Sequence, residues 1–179
     1  MASERTVFDD FADLFEAERA PRPLFILGAA KIDSLLAEIL TTYLMPKAAG
    51  GKKDELLLGD SPISTLSSRI KVCYRLGIID ESLYKILDKI RAIRNSCAHD
   101  LTVDCSASPL REHLTDLRRM LTGRRSYKLT LNRYFDGNVN QQADEFQCLL
   151  LTICVLLEGV KNATTQTQGQ PATRKISSR

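Results

Sequence analysis

Residues 24–44 read LFILGAAKIDSLLAEILTTYL, and this stretch decides the fold. Phe25, Ile32, Leu35, Leu36, Ile39, Leu40, Tyr43 and Leu44 recur at helical spacing and form one broad apolar face. That period of 3.6 marks an amphipathic helix. The first turns, LFILGAA, are apolar almost all round, so they belong deep in a core. Lys31, Asp33 and Glu38 supply the polar side, and Pro46 ends the run.

The same period extends in both directions. Upstream, Phe8, Phe11, Leu14 and Phe15 line one side of a short first helix, with Asp9, Asp10, Asp13 and Glu16 opposite. Pro21 and Pro23 are expected to break it. Downstream, KAAGGKK at 47–53 reads as a loop, and 54–58 as a short turn of helix. The next helix is expected from about Ser64 to Leu76, ending at Gly77, where a left-handed residue is favoured. Asp80 is positioned to cap a helix from about Glu81 to Cys97, with Leu83, Ile86, Leu87 and Ile90 inward. Ser108 and Pro109 suit the N-cap and first turn of another, closed by Gly123. Residues 124–138 read as irregular, with an extended piece at 127–131. The last helix is expected from about Val139 to Val160. The expectation is an all-α chain: one helical bundle of about six helices over residues 1–162, and a disordered basic tail over 163–179.

Charge is unevenly placed. The tail carries Arg174, Lys175 and Arg179 and no acid, which accounts for the whole net charge of +3. The body is therefore neutral, which argues against strong non-specific nucleic-acid binding. The stretch 111–133 is a local exception. Arg111, Arg118, Arg119, Arg124, Arg125, Lys128 and Arg133 outnumber Glu112 and Asp116 there. Of these, Arg118, Arg119, Arg124 and Arg125 are the candidates for a nucleic-acid or partner surface. His113 is expected to be exposed.

The cysteines are odd in number and form no Cys-x-x-Cys pair. Three of the five sit in apolar helical runs, as small hydrophobes do. This is neither a disulfide framework nor a zinc pattern, and it fits a reducing cytoplasm. Acids stand where a signal peptide would be apolar. The longest apolar-rich run, 149–157, is far short of the ~20 residues that span a bilayer. A cytoplasmic protein with no membrane association, no metal and no cofactor is expected.

Two clusters carry candidate chemistry. Asp60, Ser61 and Ser64 with Arg69 lie where a loop enters a helix, a place that either caps the helix or holds an anion. Arg94, Asn95 and His99 lie at the end of the fourth helix. Arginine grips phosphate in a fixed fork, and histidine exchanges protons near neutral pH. Five residues of continuous helix turn about 500°, so the side chains of Arg94 and His99 diverge by roughly 140°. They converge only if the helix stops near Cys97 or Ala98. Otherwise Arg94 pairs with Asp88, Asp100 or Glu38, and His99 sits against the last carbonyls of the helix.

Residues 56–100, LLLGDSPISTLSSRIKVCYRLGIIDESLYKILDKIRAIRNSCAHD, resemble the core signature of the mannitol operon repressor family. The matching elements are Gly59, Pro62, Leu66, Ser67, Arg69, Ile70, Lys71, Tyr74, the Leu-Gly-Ile-Ile of 76–79, His99 and Asp100. With the helix before it, the resemblance spans roughly residues 23–118. It implies an all-helical regulator of carbohydrate-transport genes. Such a regulator would work through a protein partner rather than by reading DNA. Asp100, with Asp60, Ser61, Ser64 and Arg69, is a binding candidate in that reading.

Arg94, Asn95 and His99 also resemble the motif of HEPN-fold proteins: Arg, a polar residue, three variable residues, then His. That resemblance implies a metal-independent endoribonuclease or an inactive relative. In the active form His99 would move the proton and Arg94 would stabilise phosphorane charge. In that fold two motif copies commonly meet across a homodimer.

Overall fold

The computed structural model describes residues 11, 15, 17–44, 54–99 and 103–168. Among the described residues six helices can be bounded, in order: α1 (Pro21–Tyr43), α2 (Leu66–Arg75), α3 (Glu81–His99), α4 (Leu110–Leu121), α5 (Arg125–Tyr134) and α6 (Gln142–Gln168). Among the described residues there is no strand, and the chain is an all-α bundle.

The two most apolar helices form its centre. α1 buries Leu24, Phe25, Ile32, Leu35, Leu36, Ile39 and Leu40, and packs along α6. Facing it, α6 buries Phe146, Leu149, Leu150, Ile153, Cys154 and Leu157. Phe25 and Phe146 meet ring to ring at 5.0 Å. The axes approach closely at Gly28, where an added Cβ would stand 2.9 Å from both methyl carbons of Leu150. α3 packs on α1, and α2 packs on both. α4 sits on the outer side of α3, and α5 covers α6.

The short helices are held by their ends. Thr65 and Ser68 form a reciprocal capping box at the start of α2. At its end Gly77 has φ of 71°. Gly77 N–H donates to Tyr74 O at 3.0 Å and Ile78 N–H to Cys73 O at 2.9 Å, the paired bonds of a left-handed helix stop. Asp80 caps α3 as expected: its Oδ1 accepts from Leu83 N–H at 2.7 Å.

Several boundaries differ from the sequence expectation. Pro21 and Pro23 do not end a helix; they open α1, where a missing N–H costs nothing. The α2 cap is Thr65 rather than Ser64, because the Ser64 hydroxyl donates to Ser61 O at 2.8 Å. Ser108 does not cap α4. Its hydroxyl donates to Glu112 Oε1 at 2.7 Å, and Pro109 occupies the cap position. α4 does close at Gly123, which directly follows its C-cap Thr122. Residues 125–134 are helical, not irregular or extended. There the alternation of Tyr127, Leu129 and Leu131 imitates a strand, but burial follows Tyr127 and Thr130, three apart, while Leu129 stays 55% exposed. α6 continues to Gln168, beyond the Val160 end its apolar pattern suggests. Of the expected first helix, Phe11 and Phe15 are helical and stack at 5.2 Å; its other residues lie outside the described residues, as do 169–179 of the tail.

Candidate functional site

α3 presents a polar flank beside its buried stripe of Ile86, Ile90, Ile93 and Cys97. Arg91, Arg94 and Asn95 stand three and four residues apart, hence on one side of the helix. Opposite them, α1 shows Ile26, Ala29, Ala30 and Asp33 at the same spacing. The N-terminus of α2 closes the end with Ser64, Thr65, Leu66 and Ser67. Together these residues line an open cleft of about 470 Å³.

Each charge in the cleft has a distinct environment. Arg91 Nε and Nη2 both reach Asp88 Oδ1 at 2.8 Å. Asp33 Oδ2 pairs with Arg69 Nη1 at 2.6 Å. Arg94 donates from Nη1 to Asn95 Oδ1 at 3.3 Å and has no carboxylate partner among the described residues. Of the acids the sequence offered it, Asp88 serves Arg91, and Glu38 takes Lys161 at 2.6 Å. Asp100 lies outside the described residues.

His99 does not join this cleft. α3 runs unbroken through His99, so the condition for convergence with Arg94 is not met within one chain. Helical rotation turns the two side chains about 140° apart. Both are exposed. Arg22 of α1 reaches across the end of α3 and donates from Nε to Cys97 O at 2.8 Å. Arg22 was not legible as a site residue. Its role needs α1 and α3 side by side.

The loop-to-helix cluster separates likewise. Arg69 is 7% exposed and points inward. Its Nη2 donates to Leu57 O at 2.8 Å and its Nε to Ile63 O at 3.1 Å, besides the Asp33 pair. The guanidinium is consumed in pinning the 57–63 loop onto α1, so it is not offered to an anion from solvent. Asp60 is exposed, and the Ser61 hydroxyl is buried without a partner among the described residues.

Two of the four arginines of the expected basic surface are paired with carboxylates. Arg118 forks onto Glu145, with Nη2 to Oε2 at 2.7 Å and Nε to Oε1. Hydrogen bonding to that carboxylate holds the guanidinium above its ordinary pKa. Arg119 pairs with Asp116 at 2.9 Å. Arg124 donates to Ser82 Oγ at 2.6 Å and Met120 O at 3.1 Å. Arg125 remains exposed. His113 is half-buried rather than exposed, with Nδ1 3.4 Å from Lys89 Nζ. Among the described residues no three His, Cys, Asp or Glu side chains converge on a metal-sized point, and no helix is long and apolar enough to cross a membrane.

Two solved structures share this architecture. One is the MtlR–HPr complex from Escherichia coli, at TM-score 0.57 and 19% identity, covering 86% of this chain and 98% of that one. The other is YggD from Shigella flexneri 2a str. 2457T, described as a possible transcriptional regulator. It aligns at TM-score 0.58 and 15% identity, covering 92% of this chain and 99% of that one. At these identities the likeness is one of fold. No family model matches the sequence. No curated protein matches it.

Proposed function

We propose that this chain is a transcription regulator of the mannitol-repressor type, controlling carbohydrate-transport genes by contact with a protein partner. The observation that carries the reading is the fold likeness to MtlR, which runs over nearly the whole of that chain in a structure where MtlR is held by HPr. The signature of residues 56–100 supports it from the sequence side. A partner-mediated mode is favoured over direct DNA reading by charge. The body is neutral, and Arg118 and Arg119 of the basic stretch are paired with Glu145 and Asp116. The unbroken α3 gives the ribonuclease reading no support within one chain.

The test is binding of the full chain to HPr from the same organism, by calorimetry and size-exclusion chromatography, with transcript levels of sugar-transport genes after deletion. A saturable complex and altered transcripts are expected. Failure to bind HPr together with unchanged transcripts overturns the proposal.

A further inference from the structure

The cleft between α1, α2 and α3 has no part in the partner-contact reading, yet its chemistry is directional. We infer that it binds a small organic phosphate, gripped by Arg94 and the first backbone amides of α2. Its volume, about 470 Å³, is that of a small-molecule site. Of the two arginines that line it, Arg91 is matched by the carboxylate of Asp88. Asp33 also lines the cleft, with Oδ2 paired to Arg69 and Oδ1 buried. Arg94 has no carboxylate partner among the described residues, and the Asn95 carbonyl that accepts from it leaves the Asn95 amide nitrogen as a further donor.

The second component is backbone. In α2, Ser68 N–H is taken by Thr65 Oγ1 and Arg69 N–H by Thr65 O. Leu66 and Ser67 N–H precede these, have no acceptor among the described residues, and belong to residues that line the cleft. They carry the positive end of a ten-residue helix. Arginine and a helix start facing one cavity from two elements match a phosphate with its several acceptor oxygens. Ile26, Ala29, Ala30 and Leu66 supply an apolar part of the wall. An organic substituent on the phosphate has a surface to cover there, which inorganic phosphate lacks.

The experiment is a titration of the full, isotope-labelled chain with phenyl phosphate, inorganic phosphate and benzyl alcohol, followed through amide resonances. Phenyl phosphate is expected to shift Leu66 and Ser67 most and to bind about tenfold tighter than inorganic phosphate; benzyl alcohol should leave them unmoved. Arg94→Gln should weaken phenyl phosphate by at least about tenfold, as loss of a charge-assisted contact does. Ser67→Asp should weaken it as much. An acid in the first helical turn favours the helix, so this variant keeps the test open if Arg94→Gln fails to fold. Unshifted Leu66 and Ser67, or affinity unchanged in both variants, overturns the site. Equal affinity for inorganic and phenyl phosphate overturns the organic ligand. Tighter, steeply salt-dependent binding of short single-stranded RNA at the same amides overturns the small-molecule assignment.

Discussion

Replacing Arg69 by methionine removes the guanidinium that joins three parts of the chain. The side chain is 8% exposed, and its partner Asp33 is 30% exposed. Breaking a buried pair by deleting one member costs about 3–5 kcal/mol. Partial exposure of Asp33 puts this pair at the low end, about 3 kcal/mol. The carbonyls of Leu57 and Ile63 also lose their donors, at about 1 kcal/mol each. Methionine fills much of the volume and returns about 1–2 kcal/mol of apolar burial. The net expectation is a loss of about 3–4 kcal/mol. For a domain of this size that lowers Tm by about 10 °C. Urea and thermal unfolding followed by far-ultraviolet circular dichroism measure it. The companion variant Arg69→Met with Asp33→Leu also removes the stranded carboxylate, and should be more stable than Arg69→Met alone by at least about 1 kcal/mol. A single-variant loss below about 1 kcal/mol, or simple additivity in the double variant, refutes the reasoning.

Gly28→Ala gains about 1 kcal/mol of helix propensity but drives a methyl group against fully buried Leu150, so a net loss of about 1 kcal/mol is expected. Leu150→Ala should then cost less in that background than alone; a stabilised Gly28→Ala protein would contradict the close α1–α6 approach. Burial pushes the thiols of Cys73 and Cys154 up to about 12 and that of Cys148 up to about 11. Burial and the neighbouring Asp104 push the Cys105 thiol up as well, so at mildly alkaline pH a thiol reagent should modify partly exposed Cys105 slowly but ahead of the other four, which react only on unfolding; rapid native labelling of two or more thiols is the contrary result. The Lys161 hydrogen bond holds Glu38 below its ordinary value of 4.5. Its contribution to stability is thus present above that value and is lost as pH falls through the depressed one. Glu38→Gln should separate from the parent in stability at neutral pH and converge with it in acid; a constant gap across that range would show that the ion pair is not responsible.

The bundle was legible because burial in a helix leaves a period in the sequence. Residues 24–44 and 81–97 carry that period strongly, and both helices appear close to their expected limits. α5 was not legible, because Tyr127, Leu129 and Leu131 alternate like a strand and only contact with α6 reveals which of them is covered. The cleft was half legible. Arg94 and Asn95 stood out as a pair. What gives them a setting is the start of α2 and one face of α1, which lie at least 27 residues away in sequence. Arg69 was misread in direction rather than in importance. An arginine in the first turns of a helix looks the same in sequence whether it faces solvent or the loop beneath it. Its three inward partners, at Asp33, Leu57 and Ile63, are separated along the chain and carry no common pattern.

The Gln147 side chain, buried in α6, donates to Phe15 O and Glu18 O at 2.9 Å, across 132 and 129 residues. Arg19 likewise reaches Asp144. The first segment described and the last helix thus complete each other, and α1 has its main apolar partner in α6. During synthesis from the N-terminus, Leu24, Phe25, Ile32 and Leu36 emerge more than a hundred residues before that partner. At about 5–20 residues per second, this face waits on the order of ten seconds without its cover. The order of the helices therefore builds a delay into folding. The nascent chain must be kept from self-association for that interval, and a truncation before α6 would leave the most apolar surface of the molecule permanently exposed.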